Sequence, residues 1–171
     1  MSGASEYWDR VGPETDWLHR QLRRLGVREA DLDDVTQEVL VAVHRRWDDF
    51  DRTRAIRSWL FGFAFRMASD YRKRSANRHP TLPLVHEPRD PAPAADERME
   101  AADRCALLLE ALDHLDLDRR AILTLVDLEE QTVPEAVPVL EIPLNTGYSR
   151  LRAARAELAD AVRAIEARRS S

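Results

Sequence analysis

The sequence predicts an all-α protein: two small helical domains joined by a Pro-rich linker. Three observations carry this. Apolar residues recur at three- and four-residue spacing along most of the 171-residue chain, and no stretch reads as a strand. Five glycines and a 6% aromatic content argue against a sandwich or barrel. Five of the nine prolines crowd into residues 79–98, an extended linker between two helical sets.

Residues 1–13 are expected to be a flexible N-terminus. Pro13 and Glu14 open a first helix in which Trp17, Leu18, Leu22 and Leu25 fall at helical spacing, and Gly26 supplies its C-cap. A second helix starts at Asp31, a good N-cap, and runs to about Trp47. The polar stretch Asp48–Thr53 reads as a turn, and a third helix covers Ala55 to Ser75, completing a domain over 14–78. After Met99, Leu108, Leu109, Leu112 and Leu115 form one stripe, and Ile122, Leu123 and Val126 a second. Cys105 sits in this apolar run and is expected to be a small core residue. Thr132 and Glu135 form a capping box for a short helix. Ile142–Asn145 is a turn, with Asn145 capping a last helix that reaches Arg168. A short helix, a brief turn and a basic helix outline a helix-turn-helix within a second domain over 99–168, before a tail at 169–171.

A 44% hydrophobic and 33% charged composition fits a soluble, helix-rich protein able to bury a core. The net charge of −5 means that nucleic-acid binding has to come from segregated charge. The single cysteine rules out an internal disulfide or a thiolate metal cage. His19, His44, His79, His86 and His114 are scattered without metal spacing, and neither a Gly-rich phosphate loop nor a nucleophile elbow is present. No cofactor and no enzymatic activity are therefore expected. No apolar run approaches membrane-spanning length and no signal pattern opens the chain, so membrane insertion is not expected and the cytoplasm is.

Charge is segregated within the first domain. From Arg28 to Asp51 eight acids face three arginines; from Arg52 to Arg78 eight bases face one acid, Asp70. On the second helix Leu32, Val35, Thr36, Val39, Val43 and Trp47 share the core side. Asp34, Gln37, Glu38, Val41 and Arg45 gather opposite, either as a docking face for a partner with basic and apolar groups or as an ordinary solvated face. On the third helix Ile56, Trp59, Leu60, Phe63, Met67 and Tyr71 read as core. Phe61, Phe65, Ala68 and Arg72 point away, with Arg66, Ser69 and Lys73 alongside. Exposed rings beside guanidiniums suit single-stranded DNA, by stacking on bases and holding phosphates. The competing reading buries Phe61 and Phe65 against the first helix or the second domain. In the last helix Leu151, Ala154, Leu158, Val162 and Ile165 make the packing stripe, while Tyr148, Ser149, Arg150, Arg152 and Arg155 lie in its more exposed first turns.

Taken in order, these segments resemble a bacterial RNA polymerase sigma factor of the sigma-70 family, extracytoplasmic-function group. Ala30–Val43 (ADLDDVTQEVLVAV) is similar to region 2.2, and Arg57–Arg74 (RSWLFGFAFRMASDYRKR) to regions 2.3 and 2.4. Leu117–Glu129 (LDRRAILTLVDLE) resembles region 4.1, and Ile142–Arg155 (IPLNTGYSRLRAAR) the region 4.2 recognition helix. The resemblance implies a transcription initiation factor built from a region 2 helical bundle and a region 4 helix-turn-helix. Asp34, Gln37, Glu38, Val41 and Arg45 would then meet the β′ clamp helices of core RNA polymerase, with region 4 on the β flap. The Phe50–Ile56 loop, with Phe50, Asp51, Arg52 and Arg54, would receive a flipped base of the −10 element. Phe61, Phe65, Arg66, Arg72 and Lys73 would hold the melted non-template strand. Thr146, Tyr148, Ser149, Arg150, Arg152 and Arg155 would read the double-stranded −35 element. An anti-sigma factor is a further candidate partner.

Three residues of the second domain depart from the family pattern. Pro138 lies inside a helix, at a cost of about 3 kcal/mol if the helix stays regular. Glu141 takes the place of a turn glycine, where a left-handed backbone would cost roughly 1–2 kcal/mol. Gly147 replaces a β-branched core residue and forfeits about 1.5–3 kcal/mol of burial. They motivate an alternative function: a sigma-like protein that binds core enzyme or an anti-sigma factor without productive promoter recognition.

Overall fold

The computed structural model describes residues 3–78 and 96–170, and no strand occurs among them. Eight α-helices follow one another among the described residues: α1 (Gly3–Val11), α2 (Thr15–Arg24), α3 (Leu32–Arg45), α4 (Ile56–Arg78), α5 (Asp96–Leu112), α6 (Leu117–Leu123), α7 (Val133–Val139) and α8 (Leu144–Arg169). The Pro-rich linker expected over 79–98 lies largely outside the described residues, while Asp96 already begins α5.

Residues 3–11 are helical where a flexible N-terminus was expected. Tyr7 and Val11 drop into the core, and the Tyr7 hydroxyl donates to the Leu40 carbonyl of α3 at 2.9 Å. Gly26 ends α2 at φ +92°, as a C-cap glycine should. Asp31 precedes α3 but does not cap it: its carboxylate accepts from the Tyr71 hydroxyl at 2.6 Å and from Arg28. α4 is buried on most of its girth because α2 and α3 pack on one side and α7 on another. Leu60, Phe61, Gly62, Phe63 and Ala64 are five consecutive buried residues, which at about 100° each go right round the axis, the pattern of a helix enclosed on several sides.

Phe61 therefore corrects the outward-facing expectation in favour of its competitor, burial against a neighbouring helix. Cys105 is also corrected: it is exposed on α5, which turns Leu109, Ala111 and Leu112 inward instead. Pro143, not Asn145, precedes α8, so the helix starts two residues earlier than expected. The Glu135 carboxylate accepts from the Thr132 N–H at 2.8 Å and its hydroxyl at 2.7 Å, as the capping box requires.

The three departures in the second domain have local solutions. Pro138 stays in α7 near its C-terminal end, where the backbone N–H it lacks would have bonded Pro134 at the start of the same helix. Glu141 does adopt the left-handed backbone, at φ +55°. Gly147 leaves no void: a Cβ there would overlap Val137 Cγ1 and come within 3.1 Å of Val133 Cγ1. The valines of α7 fill the space, which corrects the expected burial deficit.

One core runs from Tyr7 to Ala154, through both halves of the chain, and a small second cluster joins Ala111 to Ala161 and Ile165. At the seam, the Glu129 carboxylate accepts from Trp17 Nε1 at 2.6 Å, Gln21 Nε2 at 2.8 Å and Arg24 Nη1 at 2.6 Å, all on α2. Gln131 donates to Ser58 at 3.1 Å. Arg120 is buried under the seam, where its Nε donates to the Leu112 carbonyl at 2.8 Å and its Nη2 to Asp113 at 2.7 Å. Burial pushes the Arg120 pKa down while Asp113 holds it up.

Candidate docking and nucleic-acid interfaces

Helical spacing on α3 separates two faces, with Leu32, Val35, Val39 and Val43 inward. Asp34, Gln37, Glu38, Val41 and Arg45 are all exposed, and Val41 shows 50% of its surface to solvent. Glu38 accepts from Arg74 of α4 at 3.0 Å. Beside it, Arg28, Asp31, Asp34, Glu38, Tyr71 and Arg74 line an open hollow. Within the hollow the Arg28 Nε donates to the Tyr71 hydroxyl at 2.9 Å. Burial, reinforced by the bond to Asp31, pushes the Tyr71 phenol up, so it stays a neutral donor. The face offers carboxylates, an amide and a valine side by side, a mixture suited to a basic, partly apolar protein surface.

The loop after α3 is preorganised. Phe50 is buried, stacked on Trp47 with centroids 5.4 Å apart and 4.9 Å from Trp59. It belongs to the aromatic cluster and presents no free ring face to a base. Asp51 Oδ1 accepts from the Thr53 N–H at 2.9 Å and its hydroxyl at 2.6 Å, which holds the Asp51 carboxyl below its ordinary value. Arg52 donates to the Phe50 carbonyl at 2.9 Å and lies over the Trp47 ring; both Arg52 and Arg54 are exposed.

Along α4, Phe61 is buried, Phe65 half-buried, and Arg66 and Lys73 exposed. The Arg66 guanidinium sits 5.0 Å over the Phe63 ring and 3.6 Å from the Glu141 carboxylate of the second domain. Arg72 is half-buried, and its Nη1 is enclosed near Gly26 and Arg120 without a hydrogen-bond partner. Arg66 and Arg72 therefore lie where the second domain meets α4, while Lys73 stays exposed beside Asp70.

On α8, Tyr148, Ser149 and Arg152 are exposed, and Thr146 is half-buried with its carbonyl accepting from the Ser149 hydroxyl at 3.0 Å. Arg150 pairs with Asp118 at 3.1 Å. Arg155 binds Asp127 through two bonds of 2.9 and 2.6 Å, which raises its pKa further. Sequence reasoning missed the α2 cradle around Glu129, for which a lone acid gives no signal. It also missed Leu144 and Asn145, exposed on the same face as Tyr148; the i, i+4 spacing of Leu144 and Tyr148 would have shown the first. No cluster of potential metal ligands exists among the described residues, and no helix there is long and apolar enough to cross a membrane.

A family model for sigma-70 region 2 matches residues 12–78, and one for sigma-70 region 4 matches residues 105–158. The chain is 30% identical over 145 residues to RNA polymerase sigma factor NccH of Alcaligenes xylosoxydans xylosoxydans, covering 82% of this chain and 78% of that one. It is 32% identical over 142 residues to ECF RNA polymerase sigma factor SigM of Mycobacterium tuberculosis, covering 83% and 69% respectively. Among solved structures it is similar to CnrH in complex with the cytosolic domain of CnrY, with a TM-score of 0.63, 27% identity and coverage of 92% and 88%. The sigma factor RpoE of Bartonella quintana, solved with the anti-sigma factor NepR, shares the fold at a TM-score of 0.71 and 19% identity, with coverage of 92% and 97%.

Proposed function

Because the chain belongs to the sigma-70 family of RNA polymerase sigma factors, in its extracytoplasmic-function group, we propose that it holds core polymerase through the α3 face and reads promoter DNA with α4 and α8. It is a transcription initiation factor that directs core enzyme to specific promoters. It works in the cytoplasm, where polymerase and DNA are, and performs no chemistry of its own.

The observation that carries the docking assignment is the exposed stripe Asp34–Gln37–Glu38–Val41–Arg45 inside the segment that matches region 2. Asp34 and Gln37 have no partner among the described residues that the partner protein would have to displace. Glu38 would exchange Arg74 for a basic group of the β′ clamp helices. On the DNA side, Arg54, Arg66 and Lys73 are reachable as the chain stands. Phe61 is enclosed in the core, whereas Arg72 would reach the non-template strand once the second domain, whose Arg120 lies close to it, moves off α4. That motion would also let α4 and α8 occupy two separated promoter elements. The exposed side of α8 reads the −35 element.

A regulatory protein partner of the anti-sigma kind fits the same picture, since CnrH was solved with the cytosolic domain of CnrY. The alternative, core binding without promoter reading, loses its main support: Val133 and Val137 occupy the space at Gly147, and Glu141 keeps the turn.

Equilibrium binding to purified core enzyme tests the docking face. Asp34→Arg is expected to weaken binding at least tenfold, a loss of about 1.4 kcal/mol or more, and Gln37→Ala to weaken it less. Helical content should not change in either variant. Unchanged binding by both would remove α3 from the interface.

A further inference from the structure

The exposed side of α8 is not uniformly basic. Counting about 100° per residue from Leu144, the side chains of Leu144, Tyr148, Arg152, Asn145 and Ser149 fall within about 140° of arc. All five are exposed, and the buried side holds Gly147, Leu151, Ala154, Ala161 and Ile165. From Leu144 to Arg152 the helix rises about 12 Å, close to the width of a major groove. Arg150 points off this stripe to Asp118, and Arg155, about 16 Å along, is held bidentately by Asp127. Arg152 has no ion-pair partner among the described residues.

Leu144 and Tyr148 expose 44% and 48% of their surface, one helical turn apart. They are two of the four large apolar side chains that are exposed among the described residues. Packing within the domain does not explain them; an apolar feature in the groove does. The major groove offers one such feature, the thymine C5-methyl group.

Resting on the assignment of α8 to the −35 element, we infer that Leu144 and Tyr148 select thymine there by packing against its methyl group. Arg152 contributes a guanine contact and Asn145 an adenine contact on the same stripe. The base code is thus set by Leu144, Asn145, Tyr148 and Arg152, while Arg150 and Arg155 stay tied within the domain.

The test uses full-length protein bound to core polymerase and a pool of promoter duplexes randomised in the upstream element. Recovered duplexes should be enriched in thymine at one or more positions. Replacing those thymines by deoxyuridine removes only the methyl group and should weaken wild-type binding about three- to fivefold. Leu144→Ala or Tyr148→Ala should abolish that methyl sensitivity, and Arg152→Ala should erase a guanine preference elsewhere in the element. Thymine enrichment without any effect of deoxyuridine would overturn the inference. So would methyl sensitivity that survives in both Leu144→Ala and Tyr148→Ala. A Leu144→Ala variant that loses affinity for core enzyme with its base preference intact would give the patch to a protein partner and overturn it likewise. A pool with no upstream preference, despite normal core binding, would strike at the −35 assignment itself.

Discussion

Gly147 shows how a single residue that reads as a defect becomes a fit. In sequence it is a missing core side chain; in space Val137 and Val133 occupy the place where that side chain would stand. Gly147→Val is expected to destabilise the protein by about 1–3 kcal/mol through overpacking, and pairing it with Val137→Ala should recover part of that loss. Urea unfolding of the two variants measures this, and an undisturbed Gly147→Val protein would contradict the packing. Glu141 differs, because its side chain is exposed and its backbone carries the strain at φ +55°. Glu141→Gly should raise stability by up to about 1 kcal/mol in the same experiment. The strain at Glu141 was legible from the turn pattern. The remedy at Gly147 was not, because it depends on residues ten and fourteen positions away.

At the level of the element, periodicity located the helices within a few residues and identified the exposed face of α3. It failed on α4, whose apolar residues surround the axis and so define no single inward side. Only the packing of other helices on more than one side of α4 decides that Phe61 is covered. It also failed on α1, a nine-residue helix in which Tyr7 and Val11 supply the buried contacts. The start of α7 was readable and carries a pH signature. Bonds from the Thr132 hydroxyl and N–H hold Glu135 below its ordinary carboxyl value. The stabilisation is therefore present above the ordinary carboxylate range and is lost as pH falls through the depressed value. Glu135→Gln should melt earlier than wild type at neutral pH, with the gap closing in acid. Thermal melts showing a constant gap would contradict the cap.

At the level of the whole molecule, one core passes through both matched regions, and Glu129 closes the seam against three donors of α2. Charge segregation and the order of the segments disclosed the two-region plan, but nothing in the sequence disclosed this closure. Glu129→Gln removes the charge from the acceptor of all three bonds at a half-buried site, and a loss of about 1.5–3 kcal/mol is expected. Trp17 fluorescence should report the loosened seam, and binding of single-stranded −10 DNA should rise as α4 is uncovered. A variant with unaltered fluorescence and unaltered binding would mean that the seam does not restrain α4. The central claim, that this chain gives core polymerase its promoters through the α3 face, is tested most directly by run-off transcription from genomic fragments. Core enzyme alone should be silent at sites where core plus this chain initiates, and Asp34→Arg should silence them again. Transcripts that do not depend on the chain, or full activity of Asp34→Arg, would contradict it.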